Sequence, residues 1–161
     1  MEIAHFLPLE GVIPNLEATS KKQTLQELAA RAHVISELHE RTIFDVLLER
    51  ERLGSTGVGK GIAIPHGKFA GLERLHGMFA RLETPIDFEA IDDRRVDLIF
   101  LLLAPENAGA DHLKALARIS RVLRDASVCE KLRHSESAEA IYALLTEIPA
   151  TREAQSSATV S

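Results

Sequence analysis

The run Val96-Asp97-Leu98-Ile99-Phe100-Leu101-Leu102-Leu103-Ala104, closed by Pro105, does most to limit the folds open to this chain. Apart from Asp97 it is apolar throughout, with no alternation of apolar and polar positions. A strand with one wetted face alternates; an unbroken run describes a strand covered on both faces. The stretch from Leu98 to Ala104 is far shorter than the roughly 20 residues of a membrane helix, so no membrane insertion is expected. A doubly covered strand needs a layer on each side, and the flanking segments must supply them.

Those segments read as helices. Ser20 with Gln23 three residues on resembles a capping box, and Leu25, Leu28, Ala29 and Ala32 recur on one helical face. A second helix is expected over Leu38 to Arg52, with Ile43, Val46 and Leu47 inward and Gly54 as terminator. Arg50 falls along the same side near the end, where it can cap the last carbonyls or reach into the adjoining glycine-rich loop. Beyond Pro105, Leu113, Leu116, Ile119 and Leu123 mark a helix starting near Gly109 to Asp111. A short helix comes next at Val128 to Arg133, and Ser137 caps a last one with Ile141, Leu144, Leu145 and Ile148 inward.

Extended structure is weakly indicated at Gly11 to Glu17 and expected at Ile62 to Pro65 and Leu75 to Leu82. Glu83 to Arg95 is turn-rich, and Met1 to Pro8 reads as a loosely packed lead-in. The predicted order is strand, two helices, three strands, three helices. That describes one α/β domain of three layers, a small mixed β-sheet flanked by helices on both faces, over residues 1–148. Residues 149–161 lack periodicity and large apolar side chains, so they are expected to form a disordered tail.

Composition narrows the partners. A net charge of −5 without a run of Lys or Arg argues against nucleic acid. The single Cys129 cannot form an internal disulfide and fits core packing better than catalysis. The start MEIAHFLPLE has no basic region leading into a long apolar run, so a cytoplasmic location is expected. No cofactor is called for. No metal is expected either, since His33 and His39 have no cysteine or carboxylate cluster at ligand spacing.

The chemistry gathers in Glu51 to Lys68, ERLGSTGVGKGIAIPHGK. Gly54 to Lys60 fits the front of a phosphate-binding P-loop, but Gly61 stands where Ser or Thr must hold magnesium. Context fails as well, because a P-loop joins a strand to a helix and here a helix leads into a strand. Pro65 disfavours helical geometry at Ile64, so the chain should reach His66 extended. Gly67 is expected to leave open space beside the imidazole. A neutral imidazole is nucleophilic near neutral pH, and a glycine loop offers backbone N–H groups that bind anions. The combination suggests a phosphoryl group carried on His66. Gly57, Gly59 and Gly67, with the hydroxyls of Ser55 and Thr56, would line the phosphate-binding loop, and Arg50 would add charge. Ser55 and Thr56 can equally be loop-formers. His112 is either a helix-terminus surface residue or an active-site partner, while His5, His33, His39, His76 and His134 read as surface residues.

Glu51, Val58, Gly59 and Ile62-Ala63-Ile64-Pro65-His66-Gly67 resemble the active-histidine signature of the mannitol/fructose/nitrogen-type enzyme IIA family. These proteins are components of the bacterial phosphoenolpyruvate-dependent phosphotransferase system. LETPIDFEAIDDRRVDLIFLLLAP (Leu82 to Pro105) is similar to the segment after the signature in that family. The resemblance implies the three-layer fold, a phosphoryl acceptor at His66 and a supporting histidine at His112. It matches Arg50-Glu51 to the family's R-E pair, with Arg50 stabilising phosphoryl charge. It also implies an HPr-like histidine phosphocarrier as donor. The wording LGSTGVGKGIAIPHGK looks like the nitrogen-type branch, and no second Cys- or His-centred module accompanies the domain. The expected output is then regulation of targets linked to nitrogen metabolism or potassium transport, such as transport or sensor-kinase components. The alternative is a sugar-transport role that passes the phosphoryl group to a fructose- or mannitol-type IIB.

Overall fold

The computed structural model describes residues 1–146. The apolar run forms β6 (Val96–Pro105), the central strand of a six-stranded mixed sheet. On one side it pairs antiparallel with β5 (His76–Ile86), which pairs parallel with β1 (Val12–Ile13). On the other side two short strands, β3 (Ile62–Ala63) and β4 (His66–Phe69), lie end to end, both parallel to β6. β2 (Gly57–Gly59) folds back antiparallel on β3 and forms the edge there.

Alternation along β6 divides the core in two. Val96, Ile99, Leu101 and Leu103 join Leu25, Leu28, Ala29, Ala32, Ile43 and Leu47, which come from α1 (Lys21–Ser36) and α2 (Glu40–Arg52). Leu98, Phe100 and Leu102 face the other way. They meet Ile119 from α3 (Ala110–Leu123), Leu132 from α4 (Ala126–Arg133), and Ile141 and Leu145 from α5 (Ala138–Thr146). This is the three-layer arrangement expected of a strand apolar on both faces. Both serine caps form, although the Gln23 side chain accepts from Thr19 N–H at 2.8 Å rather than closing a capping box on Ser20. Ser20 Oγ accepts from Gln23 N–H at 3.1 Å, and Ser137 Oγ accepts from Ala140 N–H at 3.1 Å. Cys129 is buried in the second core, its thiol directed at the Leu123 carbonyl.

Three expectations are corrected. Five strands, rather than three, separate α2 from α3, because the glycine loop is itself a hairpin and Pro65 separates β3 from β4. β5 runs on to Ile86, through part of the segment read as turns. Its pairing slips between Arg81 and Ile86, where Pro85 has no N–H for the ladder. Met1 to Pro8 is no loose lead-in: Ile3, Phe6 and Leu7 are buried, the Phe6 carbonyl accepts from Gly77 N–H at 2.7 Å, and Glu2 pairs with Arg118 at 2.8 Å. Its apolar residues seal the α3–α5 layer. The end of the last predicted helix at Ile148 and the tail at 149–161 lie outside the described residues. Among those described, no helix is long and apolar enough to cross a membrane.

Candidate functional site

β4 begins at His66, and its register decides where the imidazole points. His66 aligns with Leu102 and Lys68 with Ala104, whereas Gly67 between them aligns with Leu103. Leu102 belongs to the α3–α5 core, so His66 and Lys68 face that layer and Gly67 faces α1 and α2. α3 brings His112, third residue of its first turn, up to His66. The two rings stand edge to face, 5.6 Å between centroids and 76° between planes.

His66 is half-buried, and its Nδ1 lies 2.8 Å from the Ile64 carbonyl oxygen. A carbonyl only accepts, so Nδ1 carries the proton and Nε2 keeps its lone pair. His112 is buried, and among the described residues its Nδ1 has no hydrogen-bond partner. An orphaned buried N–H is rarer and costlier than an unshared lone pair, which puts the His112 proton on Nε2. Burial first, then the neighbouring charges of His66 and Lys68, hold the His112 pKa below the usual imidazole value. The ring is therefore neutral at pH 7, with one N–H to offer. The N-terminus of α3 adds its dipole to this setting: no side chain caps it at Gly109, although Asp111 N–H is held by the Ala108 carbonyl at 3.1 Å.

The glycine loop does something other than expected. Thr56 is buried, and both its N–H and its hydroxyl donate to the carboxylate of Glu51, the former at 3.1 Å to Oε1. Ser55 Oγ donates to the Phe88 carbonyl at 2.8 Å and accepts from Gly57 N–H at 3.0 Å. Lys60 N–H is bound by Asp92 Oδ2 at 2.9 Å. Gly57 and Gly59 lie in β2, paired with β3. The donors assigned to a phosphate cradle thus hold a hairpin together instead. Gly67 is corrected too: a Cβ there would come within 2.8 Å of Val46 Cγ1, so the glycine admits α2 to β4 rather than opening space beside His66.

Arg50 comes one helical turn after Val46 and so lies on the α2 side of the sheet. Its Nη1 donates to the Gly54 carbonyl at 2.8 Å, the capping geometry, and a guanidinium retains four further N–H groups. The structure joins His66 to His112 and places Arg50 at the base of the hairpin, on the opposite layer from His112. Lys68, not among the expected site residues, shares His66's face. The period of two along a strand from His66 would have found it.

Residues 5–148 match the family model described as phosphoenolpyruvate-dependent sugar phosphotransferase system, EIIA 2. The chain belongs to this family. A nitrogen regulatory protein of Bradyrhizobium diazoefficiens is 58% identical over 151 residues, spanning 94% of this chain and 99% of that one. A fructose-specific EIIA component from Haloferax volcanii is 36% identical over 148 residues, 91% of this chain and 96% of the other. The crystal structure of nitrogen regulatory protein IIA-Ntr from Neisseria meningitidis superposes with a TM-score of 0.85 at 40% identity. It covers 89% of this chain and 99% of its own. The α/β architecture of this chain is that of the enzyme IIA structures.

Proposed function

We infer that His66 accepts a phosphoryl group on Nε2 from an HPr-like phosphocarrier, and that the phosphorylation state of this surface regulates partner proteins. The observation that carries the reading is the bond from His66 Nδ1–H to the Ile64 carbonyl, which leaves Nε2 as the ring's nucleophile beside the neutral His112. In transfer the Nε2 lone pair attacks phosphorus and a new N–P bond forms. The N–P bond to the donor's imidazole breaks, and its electron pair returns to that ring. No net proton movement is required, because the proton stays on Nδ1, donated to the Ile64 carbonyl, as positive charge grows on the acceptor ring.

Such a transfer depends on positioning and charge stabilisation more than on covalent chemistry by the protein. The Nε2–H of His112 supplies a donor to one phosphoryl oxygen, the α3 N-terminus favours negative charge, and Lys68 provides a mobile cation on the same face. Arg50 contributes from the hairpin base, through N–H groups beyond the one held by Gly54. The regulatory output, directed at nitrogen- or potassium-linked targets, is supported by relatives named nitrogen regulatory proteins. Transfer onward to a fructose- or mannitol-type IIB is the second reading, supported by the similarity to a fructose-specific component.

The test is incubation with phosphoenolpyruvate, enzyme I and either a nitrogen-type or a sugar-type phosphocarrier. Phosphorus NMR should show an acid-labile, alkali-stable phosphoramidate on Nε2 of His66. His66→Ala should take up no phosphoryl group while keeping its fold. Label on another residue, retained in His66→Ala, removes the reading. Faster uptake from the nitrogen-type donor favours regulation, and rapid onward transfer to a sugar IIB favours transport.

A further inference from the structure

Glu51 is a buried carboxylate far from solvent and out of contact with His66, yet it is connected to it. We propose that Glu51, held by Lys21, is a positioning residue that sets the tautomer of His66 through Thr56 and Ile64. The proposal rests on the reading of His66 as the phosphoryl acceptor only for its consequence for rate. The structural link stands independently.

The connection is a continuous run of hydrogen bonds. Lys21 Nζ, at the start of α1, lies 3.0 Å from Glu51 Oε1 and 4.9 Å from the centroid of the Phe88 ring. Its second acidic neighbour, Glu89 at 3.6 Å, is largely exposed, whereas the Glu51 side chain is only 3% exposed. The Glu51 carboxylate accepts both the N–H and the hydroxyl of Thr56. The Thr56 carbonyl accepts Ile64 N–H at 3.0 Å. The Ile64 carbonyl accepts His66 Nδ1–H at 2.8 Å.

Each step restricts the next. The Ile64 N–H fixes the Ala63–Ile64 peptide plane, and because Pro65 restricts the φ/ψ of Ile64, the carbonyl in the next plane is left few directions. Pro65 has no N–H of its own, and the remaining anchor of that turn is its carbonyl, which accepts from Leu102 N–H at 3.0 Å. The direction of the Ile64 carbonyl is therefore set between β6 on one side and the Thr56–Glu51 contact on the other. That direction matters because a ring nitrogen's protonation is set by the bond its twin makes. An imidazole without this acceptor distributes its proton over both nitrogens, and the Nε2–H form has no lone pair for phosphorus.

Stability alone is a weak account of such a pair. Burying a carboxylate and an ammonium costs desolvation that their attraction barely offsets, and apolar replacements often serve a core as well. What an apolar pair cannot do is accept two hydrogen bonds from Thr56 in one orientation.

The experiment uses the full chain with Glu51→Gln, Thr56→Val and Thr56→Ser, each checked for folding by circular dichroism. Nitrogen-15 NMR of the imidazoles reads the His66 tautomer, and phosphoryl uptake from the phosphocarrier reads the rate. Glu51→Gln and Thr56→Val should raise the Nε2–H fraction of His66. Uptake in both should slow by about 10- to 100-fold, by analogy with the loss seen when the partner orienting a metal-bound histidine is removed. Thr56→Ser, which keeps the hydroxyl, should restore both signals. Wild-type tautomer signals in folded Thr56→Val and Glu51→Gln overturn the proposal. If Glu51→Gln does not fold, an unchanged tautomer in Thr56→Val does so alone. Loss of uptake without a tautomer change also overturns it, and a wild-type protein that takes up no phosphoryl group defeats the functional reading while the NMR result still decides this one.

Discussion

His112 meets His66 edge to face from a position where its own Nδ1 has no partner among the described residues. Protonating His112 would put a second N–H into that buried spot and a positive charge beside His66 and Lys68. Burial and those charges hold its pKa down in the folded protein. The unfolded chain therefore binds a proton at this residue more readily than the folded one. Stability from this source is present above the unfolded value of about 6.5 and is lost as pH falls through and below it. Thermal melts between pH 5.5 and 7.5 should show wild-type protein losing stability toward acid, with a smaller loss in His112→Gln. Half-buried His76, lowered by burial and then by Arg74, acts in the same sense in both proteins. Parallel melting curves would reject the assignment.

Arg50 separates a cap from a catalyst. Its bond to the Gly54 carbonyl closes the end of α2, a role worth about 0.3–1 kcal/mol for a cation at a helix C-terminus. Arg50→Ala should lower stability by no more than that and slow phosphoryl transfer by less than roughly 100-fold, since other donors remain. Arg50→Lys should keep most of the stability but less of the rate, because an ammonium lacks the fork of N–H groups. Wild-type transfer kinetics in Arg50→Ala, measured against a fixed phosphocarrier concentration, would leave this residue with the cap alone.

Much of this was legible in the chain, and the exceptions have a common cause. The unbroken apolar run from Leu98 to Ala104 announced a strand covered on both faces, and Ser20 and Ser137 announced their helices. These are local signals, readable from spacing. The pairing of His66 with His112 depends on the register of β4 against β6, which no local pattern encodes. The glycine loop misled for the same reason. Its N–H groups look free in sequence, and only the long-range partners Phe88 and Asp92, with buried Glu51, show where its donors go. Ile3, Phe6 and Leu7 were too few to show a period, yet their burial against α3 and α5 is complete.

Ser55 gives a direct test of the loop's role. Its hydroxyl donates to the Phe88 carbonyl across the fold and accepts from Gly57 N–H, leaving no proton for a phosphoryl oxygen. Ser55→Ala should lower stability by about 0.5–1.5 kcal/mol, the net worth of a typical internal hydrogen bond, and leave the transfer rate near wild type. Chemical denaturation and a single-turnover transfer assay read the two effects separately. A large rate loss with unchanged stability would return Ser55 to the phosphate site.

Gly67 couples β4 to α2. A Cβ at this position would lie 2.8 Å from Val46 Cγ1 and 3.2 Å from Phe69 Cε2. Its φ is not in the left-handed region, so the requirement for glycine comes from packing rather than backbone conformation. Gly67→Ala must push α2 away from β4 or displace His66, at the roughly 1–3 kcal/mol usual for overpacking. Val46→Ala should be destabilising alone through the lost methyl groups. In the double variant the new Cβ enters the space Val46 vacates. The double variant should therefore be more stable than the sum of the single changes implies, a coupling that neighbouring residues show and distant ones do not. Transfer rate should show the same pattern, because relief of the clash returns His66 to the register that meets Ile64 and His112. Additive stabilities in the four-protein cycle would show that Gly67 is not held by Val46.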